Sequence, residues 1–418
     1  MKILVAHPQR QHSFRLATAL VKAGHDVTYM TTVYDKPVSL TRASKRFLRG
    51  DDRRRAEGRR CEALRDGQVK LKFEFLGLVS LFLGRIPSKK VAYKKLNDWI
   101  DRHFGRKVAA FARRGGFDAV VCYDQHAREA FRILSDTAPS IVRVLDVSAA
   151  IKTTQAKLAL SDLGKAPFLP ASRRKQMLET FSLPLGEYEI EVSLAHAFLA
   201  PSSFVRESLL FAGAREGDVH LCPYGSSFVP ASAFGRAVSE PMRFVFCGRM
   251  VPNKGVHRLF QAFEMVDPSA FRLTLIGGYD NDDGFFDDYL GKYDFEGLVL
   301  HDRVEELYRA SDVMVFPSLN EGMSLACLEA LGCGLPVVLT SSNGASDFIE
   351  DYRNGIVIPP SDVEALRDAI VWCIEHPDEV VRMKGEALDS ARSITWDAYE
   401  DAVAKAFRAL ERRIGRRG

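Results

Sequence analysis

Two glutamates eight positions apart, Glu321 and Glu329, sit in the stretch EGMSLACLE, just ahead of the glycine cluster ALGCGLP. Carboxylates so placed admit three readings: an acid and base pair, two arms of one binding site, or surface charges. Ser324 to Leu331 has the pattern of a short helix stopped by Gly332 and Gly334, which sets Glu321 near the helix N-terminus and Glu329 about two turns along. Eight residues at helical rise separate them by roughly 12 Å, whereas paired glycosidase carboxylates stand about 5 to 9.5 Å apart. The spacing favours two anchors on an elongated ligand, with an anionic centre held between them at the helix N-terminus. A sugar, a diphosphate and a ribose in a row have that layout.

A second stretch, FCGRMVPNKGVHRLF, supplies the opposite charge. A strand ends at Gly248, Arg249 and Lys254 follow in one short loop, and Gly255 precedes a helix. Two cations and a helix N-terminus at the carboxyl end of a strand make an anion site, because exposed N–H groups and the helix dipole favour negative charge there. Arg grips phosphate bidentately and Lys adds a point charge. The plain alternative is two surface cations beside a helix.

The elements that must position these residues alternate along the whole chain. KILVA reads as a buried strand, SFRLATALVKAG as a helix and DVTYMTT as a second strand. VKLKFEF (69 to 75) alternates like a half-buried strand, and SKKVAYKKLNDWIDRHFGRKVAAFARR reads as a long helix with a basic face. FDAVVCYDQ and SIVRVLDVS are strands that end in carboxylates, Asp124 and Asp146, the place where open α/β sheets put their ligands. HAFLAPSS and VHLCPYG are further strands around the helix FVRESLLFAG, and SSFVPASAFGRAVSEP has the composition of a linker. The alternation restarts with RFVFCGRM, GVHRLFQAFEMV, FRLTLIGG, DVMVFPS and LPVVLTSS. Two α/β halves imply two Rossmann-like, doubly wound domains facing each other across a cleft, with a boundary near residue 236. Residues 1–236 form the first, 237–395 the second, and a last helix from Trp396 to the end at 418 packs back on the first.

Bulk properties agree with a soluble two-domain protein: 418 residues exceed one ordinary core, and 46% are apolar. The apolar part of the N-terminus is too short for a secretory signal, so a cytoplasmic protein is expected. The longest apolar run, FLGLVSLFLG, is about half a spanning helix. Seven cysteines are scattered without a C-x-x-C pair, which reads as reduced core thiols. The net charge of +4 hides a segregation, since 42–114 holds 22 Lys and Arg against 8 Asp and Glu. YDNDDGFFDD (279 to 288) contains D-x-D but breaks the calcium-loop pattern at Gly284 and Gly291, and reads as a solvated acidic loop.

GRMVPNKG, the E-x(7)-E of EGMSLACLE, ALGCGLPVV and NGIVIPPSD, in that order, resemble the nucleotide-sugar half of the retaining glycosyltransferases of family 4, which have the GT-B fold. FLAPSSFVRESL, CPYG and SITWDAY extend the resemblance over about 199 to 400, and it is thin before that. It implies that Arg249 and Lys254, after Gly248, bind the diphosphate of a nucleotide-sugar donor and neutralise the leaving group. Glu321 would contact the donor sugar, backbone N–H groups of Gly322, Met323, Ser324 and Leu325 would hold sugar and phosphate, and Glu329 would take the ribose. No metal or other cofactor is then required, since fixed donors stand where negative charge develops. The first half departs from the family: HPQRQHS replaces a glycine-rich loop, CYDQH stands where a His-containing strand end is common, and Leu145 precedes Asp146 where His is frequent. Asp124 and Asp146 are the candidates for orienting or deprotonating an acceptor hydroxyl, with His126 and His7 behind them, although such residues also serve as plain loop caps.

The expected activity is transfer of a hexose-type sugar to a hydroxyl of a saccharide, lipid-linked at the inner face of the cell membrane, where the basic region 42–114 would meet an anionic bilayer. A GT-B phosphorylase or nucleotide-sugar epimerase would share the fold and anion site. Nucleic-acid binding would use the basic stretch but leave the second half without a purpose.

Overall fold

A computed structural model describes residues 1–48, 53, 56–86, 89–181, 186–228 and 237–415. The expected boundary at 236 lies outside the described residues, as do parts of the linker and of the basic region. Two wholly parallel sheets are built. The first contains β1 (Lys2–Ala6), β2 (Asp26–Thr31), β3 (Val69–Leu71), β4 (Ala119–Tyr123), β5 (Val142–Asp146), β6 (Ala197–Ala200) and β7 (Val219–Leu221), in the order β3-β2-β1-β4-β5-β6-β7. The second contains β8 (Met242–Cys247), β9 (Phe271–Ile276), β10 (Asp294–Gly297), β11 (Val313–Phe316), β12 (Val337–Thr340) and β13 (Gly355–Ile358), in the order β10-β9-β8-β11-β12-β13. Helices cover both faces, so the central strands read as continuous apolar runs and are buried throughout, as in β4 and β11. The strand order reverses between β1 and β4 and again between β8 and β11. Those crevices are where doubly wound sheets take ligands.

Several local expectations need correction. The strand expected over 69 to 75 stops at Leu71. Phe73 turns left-handed (φ 58°), and Glu74–Leu83 is a helix, because the apolar run after Phe73 packs by turns rather than by alternation. The basic helix runs Lys90–Gly115. Strands β10 and β13 and the helices Lys152–Gly164 and Ala171–Phe181 carry too little periodicity to stand out in the sequence.

Those two helices hold the halves together. In the first, Asp162 is completely buried, accepts from Arg258 Nε at 2.7 Å and His257 Nε2 at 2.8 Å, and lends its carbonyl to Arg258 as well (2.9 Å). Burial pushes the Asp162 carboxyl up, but the bonds and charges of His257 and Arg258 outweigh it and leave it below the ordinary carboxylate range. Burial, which the bond to Asp162 partly opposes, holds the pKa of His257 down. In the second helix, Arg173 bonds Asp283 Oδ1 (2.9 Å) and the Asp280 carbonyl (2.6 Å) and lies over the Phe285 ring at 4.4 Å. The acidic loop is therefore not simply solvated, since Asp283 is a docking socket. Ala159, Leu163, Met177 and Leu319 fill the space between.

The last helix, Trp396–Gly415, lies against the Ser13–Lys22 helix of the first half. Lys22 Nζ donates to Glu400 at 2.5 Å, and the amino terminus donates to Glu411 at 3.2 Å. Gly225 of CPYG is required here, because a Cβ would collide with the backbone at Thr395 and Trp396. All seven cysteines are free, and six are buried.

Asp162→Asn leaves Arg258 buried without its counter-charge and should cost about 3 to 5 kcal/mol, read as a lower thermal midpoint. Because the folded pKa of Asp162 is lowered, its stabilisation is complete at neutral pH and is lost as pH falls through the carboxylate range. The acid limb of the stability profile should therefore be shallower in Asp162→Asn than in the wild type.

Candidate active site

On the side of the second sheet, β8 ends at Cys247, Gly248 and Arg249 follow, and a single helical turn, Pro252–Lys254, leads into the Val256–Phe263 helix. Gly255 makes this turn at φ 73°, pressed on the Pro317 carbonyl so closely that any side chain would collide. That contact brings the loop after β8 onto the loop after β11. Leu319 N–H donates to the Asn253 carbonyl at 2.9 Å, and Asn320 Nδ2 donates to Asn253 Oδ1 at 2.6 Å. Lys254 and Glu321, 67 residues apart, consequently meet in a half-buried ion pair at the cleft. The Glu321 backbone is clamped on both sides, by its N–H on Ser342 O (3.0 Å) and by Gly344 N–H on its own carbonyl (2.9 Å).

The Leu325–Gly332 helix begins directly after this pair, with Ser324 as its cap, accepting from the Cys327 N–H. Glu321 is thus four residues before the helix and Glu329 is within it. Glu329 is raised above the ordinary carboxylate range by burial, which nearby His301 partly opposes. Arg249 is exposed and lines an open cavity of about 350 Å³ with Gly248, Gly277, Gly278, Leu298 and Val299. Gly277 (φ 133°) leaves no room for a side chain against the Gly248 carbonyl. The spacing of the charged residues does not reveal this cavity. Its only sequence signal is the glycine pair that ends FRLTLIGG.

Across the cleft, the carboxyl ends of β1, β4 and β5 gather the other candidates. Asp124 Oδ1 accepts from the Ser148 N–H (3.0 Å) and hydroxyl (2.9 Å), and so organises the loop after β5. That loop touches the loop after β11 directly, because Gly322 is packed on the Ser148 carbonyl with no space for a Cβ. Ser202 Oγ also donates to the Gly322 carbonyl at 2.7 Å. Asp146 is buried and accepts from His12 Nε2 at 3.0 Å through Oδ1, while its Oδ2 has no partner. His12 in turn lies 3.1 Å from the Tyr224 hydroxyl through Nδ1. His12 and Tyr224 escape the sequence reading because they are 212 residues apart and neither sits at a strand end.

His7 is buried with Nδ1 accepting from the Gln9 N–H (2.8 Å), which leaves the proton on an unpartnered Nε2. Burial, and then the neighbouring His126 and His12, push its pKa well down, so it is neutral. His126 pairs with Asp101 at 3.0 Å and stands 5.1 Å from His7, ring to ring. Burial opposes its charge, yet Asp101 raises its pKa overall. Asp124, Asp146, His7 and His126 thus come together on one edge of the first sheet.

This architecture is the GT-B fold. It aligns with sucrose-phosphate synthase from Thermosynechococcus elongatus over 99% of this chain and all of that one, at a TM-score of 0.64 and 18% identity. It aligns with the HepE protein of Anabaena, solved in complex with UDP, over 98% of this chain and all of that one, at 0.62 and 16%. In sequence, residues 241–376 match the family described as glycosyl transferases group 1. Among curated relatives, the O-antigen chain mannosyltransferase B of Escherichia coli is 28% identical over 40% of this chain and 45% of its own. A D-inositol 3-phosphate glycosyltransferase of Xylanimonas cellulosilytica is 27% identical over 56% and 61%. The chain spans about half the length of the curated relatives it matches.

Gly322→Ala should push the Ser148 loop away and loosen the halves. A larger radius of gyration by small-angle scattering is expected, together with a lower thermal midpoint.

Proposed function

We propose that the protein is a retaining glycosyltransferase that moves a hexose-type sugar from a nucleoside diphosphate to a saccharide hydroxyl. The observation that supports this best is the Lys254–Glu321 pair, set beside a capped helix N-terminus and an open glycine-walled cavity. A donor threaded through this site would place its diphosphate at Arg249 and Lys254 and its sugar hydroxyls at Glu321. Its ribose would reach Glu329, and its base would enter the cavity at Gly277 and Leu298. The sugar–phosphate bond breaks as the acceptor oxygen bonds to the same face of the anomeric carbon, and the acceptor's proton passes to the departing phosphate oxygen. Cations and N–H groups fixed where that charge develops supply the main catalytic stabilisation, and no metal is used. Relatives and neighbours named for O-antigen and inositol-phosphate glycosylation, and one solved with UDP, agree with this class of reaction.

The acceptor in this reading is lipid-linked. No described helix is long and apolar enough to cross a membrane. The helices Glu74–Leu83 and Lys90–Gly115 nevertheless expose Phe75 (66%), Phe82 (63%), Val91 (70%) and Trp99 (41%) among lysines and arginines. Apolar side chains interleaved with basic ones suit a peripheral seat on the anionic inner face of a bilayer.

Lys254→Ala and Glu321→Ala should each reduce transfer by about a hundredfold or more while the thermal midpoint stays near that of the wild type; near-normal turnover in both would overturn the assignment. A thermal-shift screen with UDP-, GDP- and ADP-sugars should show stabilisation by one of them, since a ligand of the native state alone raises its stability. Sedimentation with anionic liposomes should carry the protein down at low salt and release it at high salt.

A further inference from the structure

Behind the turn that carries Asp124 and His126 lies a further buried carboxylate, Glu191, on the Gly186–Leu194 helix. Its Oε1 accepts from the N–H groups of Ala127 and Arg128, and its Oε2 from that of Gln125, each at 2.9 Å. The first two bonds cap the Arg128–Thr137 helix, whose own N-cap residue, Ala127, has no side-chain acceptor to offer. The third acts on the turn itself. Gln125 is held left-handed (φ 73°), a conformation uncommon for any residue with a side chain, and Glu191 is the acceptor of its N–H. Asp124, one residue earlier, organises the Ser148 loop, and His126, one residue later, pairs with Asp101.

An ionised carboxylate has acceptors for all three N–H groups, whereas a protonated one, or the amide of glutamine, keeps one acceptor oxygen and turns a donor to the other side. The oxygen that stays an acceptor is best used where it has two partners, in the helix cap. The bond forfeited with the proton is then the one to Gln125, where the backbone needs it most. The titratable groups that face Glu191 are Asp124 and His126 on the turn and the Cys122 thiol on β4. On the elements packed against its helix, Glu129 is bonded to Arg106 at 2.9 Å, and Arg143 to the Leu194 carbonyl at 2.6 Å and His196 at 3.0 Å. Burial, helped by the like charge of Asp124, outweighs the three N–H bonds and pushes the Glu191 carboxyl up to about 7.

We propose that Glu191 is the positioning residue for Asp124 and His126: its ionised carboxylate fixes the turn between them through Gln125, and the turn is released when Glu191 takes up a proton. That this turn serves an acceptor hydroxyl rests on the transferase reading; the proton-linked hold on the turn does not. Function and stability then pull in opposite directions at this residue. The raised folded pKa means that the contribution of Glu191 to stability is fully present at acid pH and is lost as pH rises through about 7, the range in which the turn is secured.

The test is nuclear magnetic resonance on protein labelled with ¹⁵N at glutamine, of which the chain has seven, with the Gln125 signal assigned by Gln125→Asn. The Gln125 amide proton should move downfield as pH rises, with a midpoint near 7, as its carboxylate acceptor ionises. In Glu191→Gln it should stay at the acid position throughout. An amide that does not move in the wild type, or moves equally in the variant, overturns the proposal. Thermal midpoints give a second reading, because the wild type should lose stability relative to Glu191→Gln between about pH 5 and pH 8. A residue that serves only as a structural cap gives the opposite trend and overturns the proposal as well. Turnover of the nucleotide sugar that stabilises the protein most, with octyl glucoside as acceptor, should fall about tenfold per pH unit below the Gln125 midpoint in the wild type and be flat and low in Glu191→Gln; an acid limb shared by both detaches Glu191 from the reaction. UDP affinity in Glu191→Gln should match the wild type. A wild type that binds no nucleotide sinks the donor reading and leaves the Gln125 titration standing, whereas a failed titration with normal nucleotide binding sinks Glu191 alone.

Discussion

The buried junction of Asp162 with Arg258 and His257 is the interaction on which the site depends. It joins a helix that leaves the first sheet after β5 to the helix that follows the Lys254 loop in the second. A charge pair with no solvent access tolerates almost no displacement, because separating it would leave each ion unsolvated. With Arg173 in its socket on the acidic loop and Leu319 packed among Ala159 and Leu163, this junction fixes the loop that carries Lys254 and the approach to Glu321. These polar contacts are specific in direction and stand beside an apolar core that runs through both halves.

Glycine does the complementary work at the cleft itself. Gly255 and Gly322 are placed where another backbone carbonyl occupies the position of a side chain. Backbone loops can then approach closely enough for ligand oxygens to meet N–H groups directly, which is how a site binds phosphate with few charged residues. The two halves are asymmetric in this respect. The second offers backbone N–H groups and cations, whereas the first offers a histidine and carboxylate edge in which Asp124 and Asp146 are already engaged by Ser148 and His12.

Much of the second half was legible in the sequence. Strand–helix alternation, Gly248 to Gly255 and the helix between Glu321 and Glu329 are local patterns, because hydrogen-bonded elements and their caps are set within a few residues. The positions of Lys254 and Glu321 on their loops, and of Glu329 within its helix, were legible for the same reason. What the sequence could not decide is which distant residues meet. The direct pairing of Lys254 with Glu321, the chain from Asp146 through His12 to Tyr224, and the docking of Arg173 on a loop that reads as merely acidic all join positions tens to hundreds of residues apart. Such contacts follow from the order of strands and the packing of the two halves, and single-residue chemistry records only that a charge is present, not whether the fold supplies its partner.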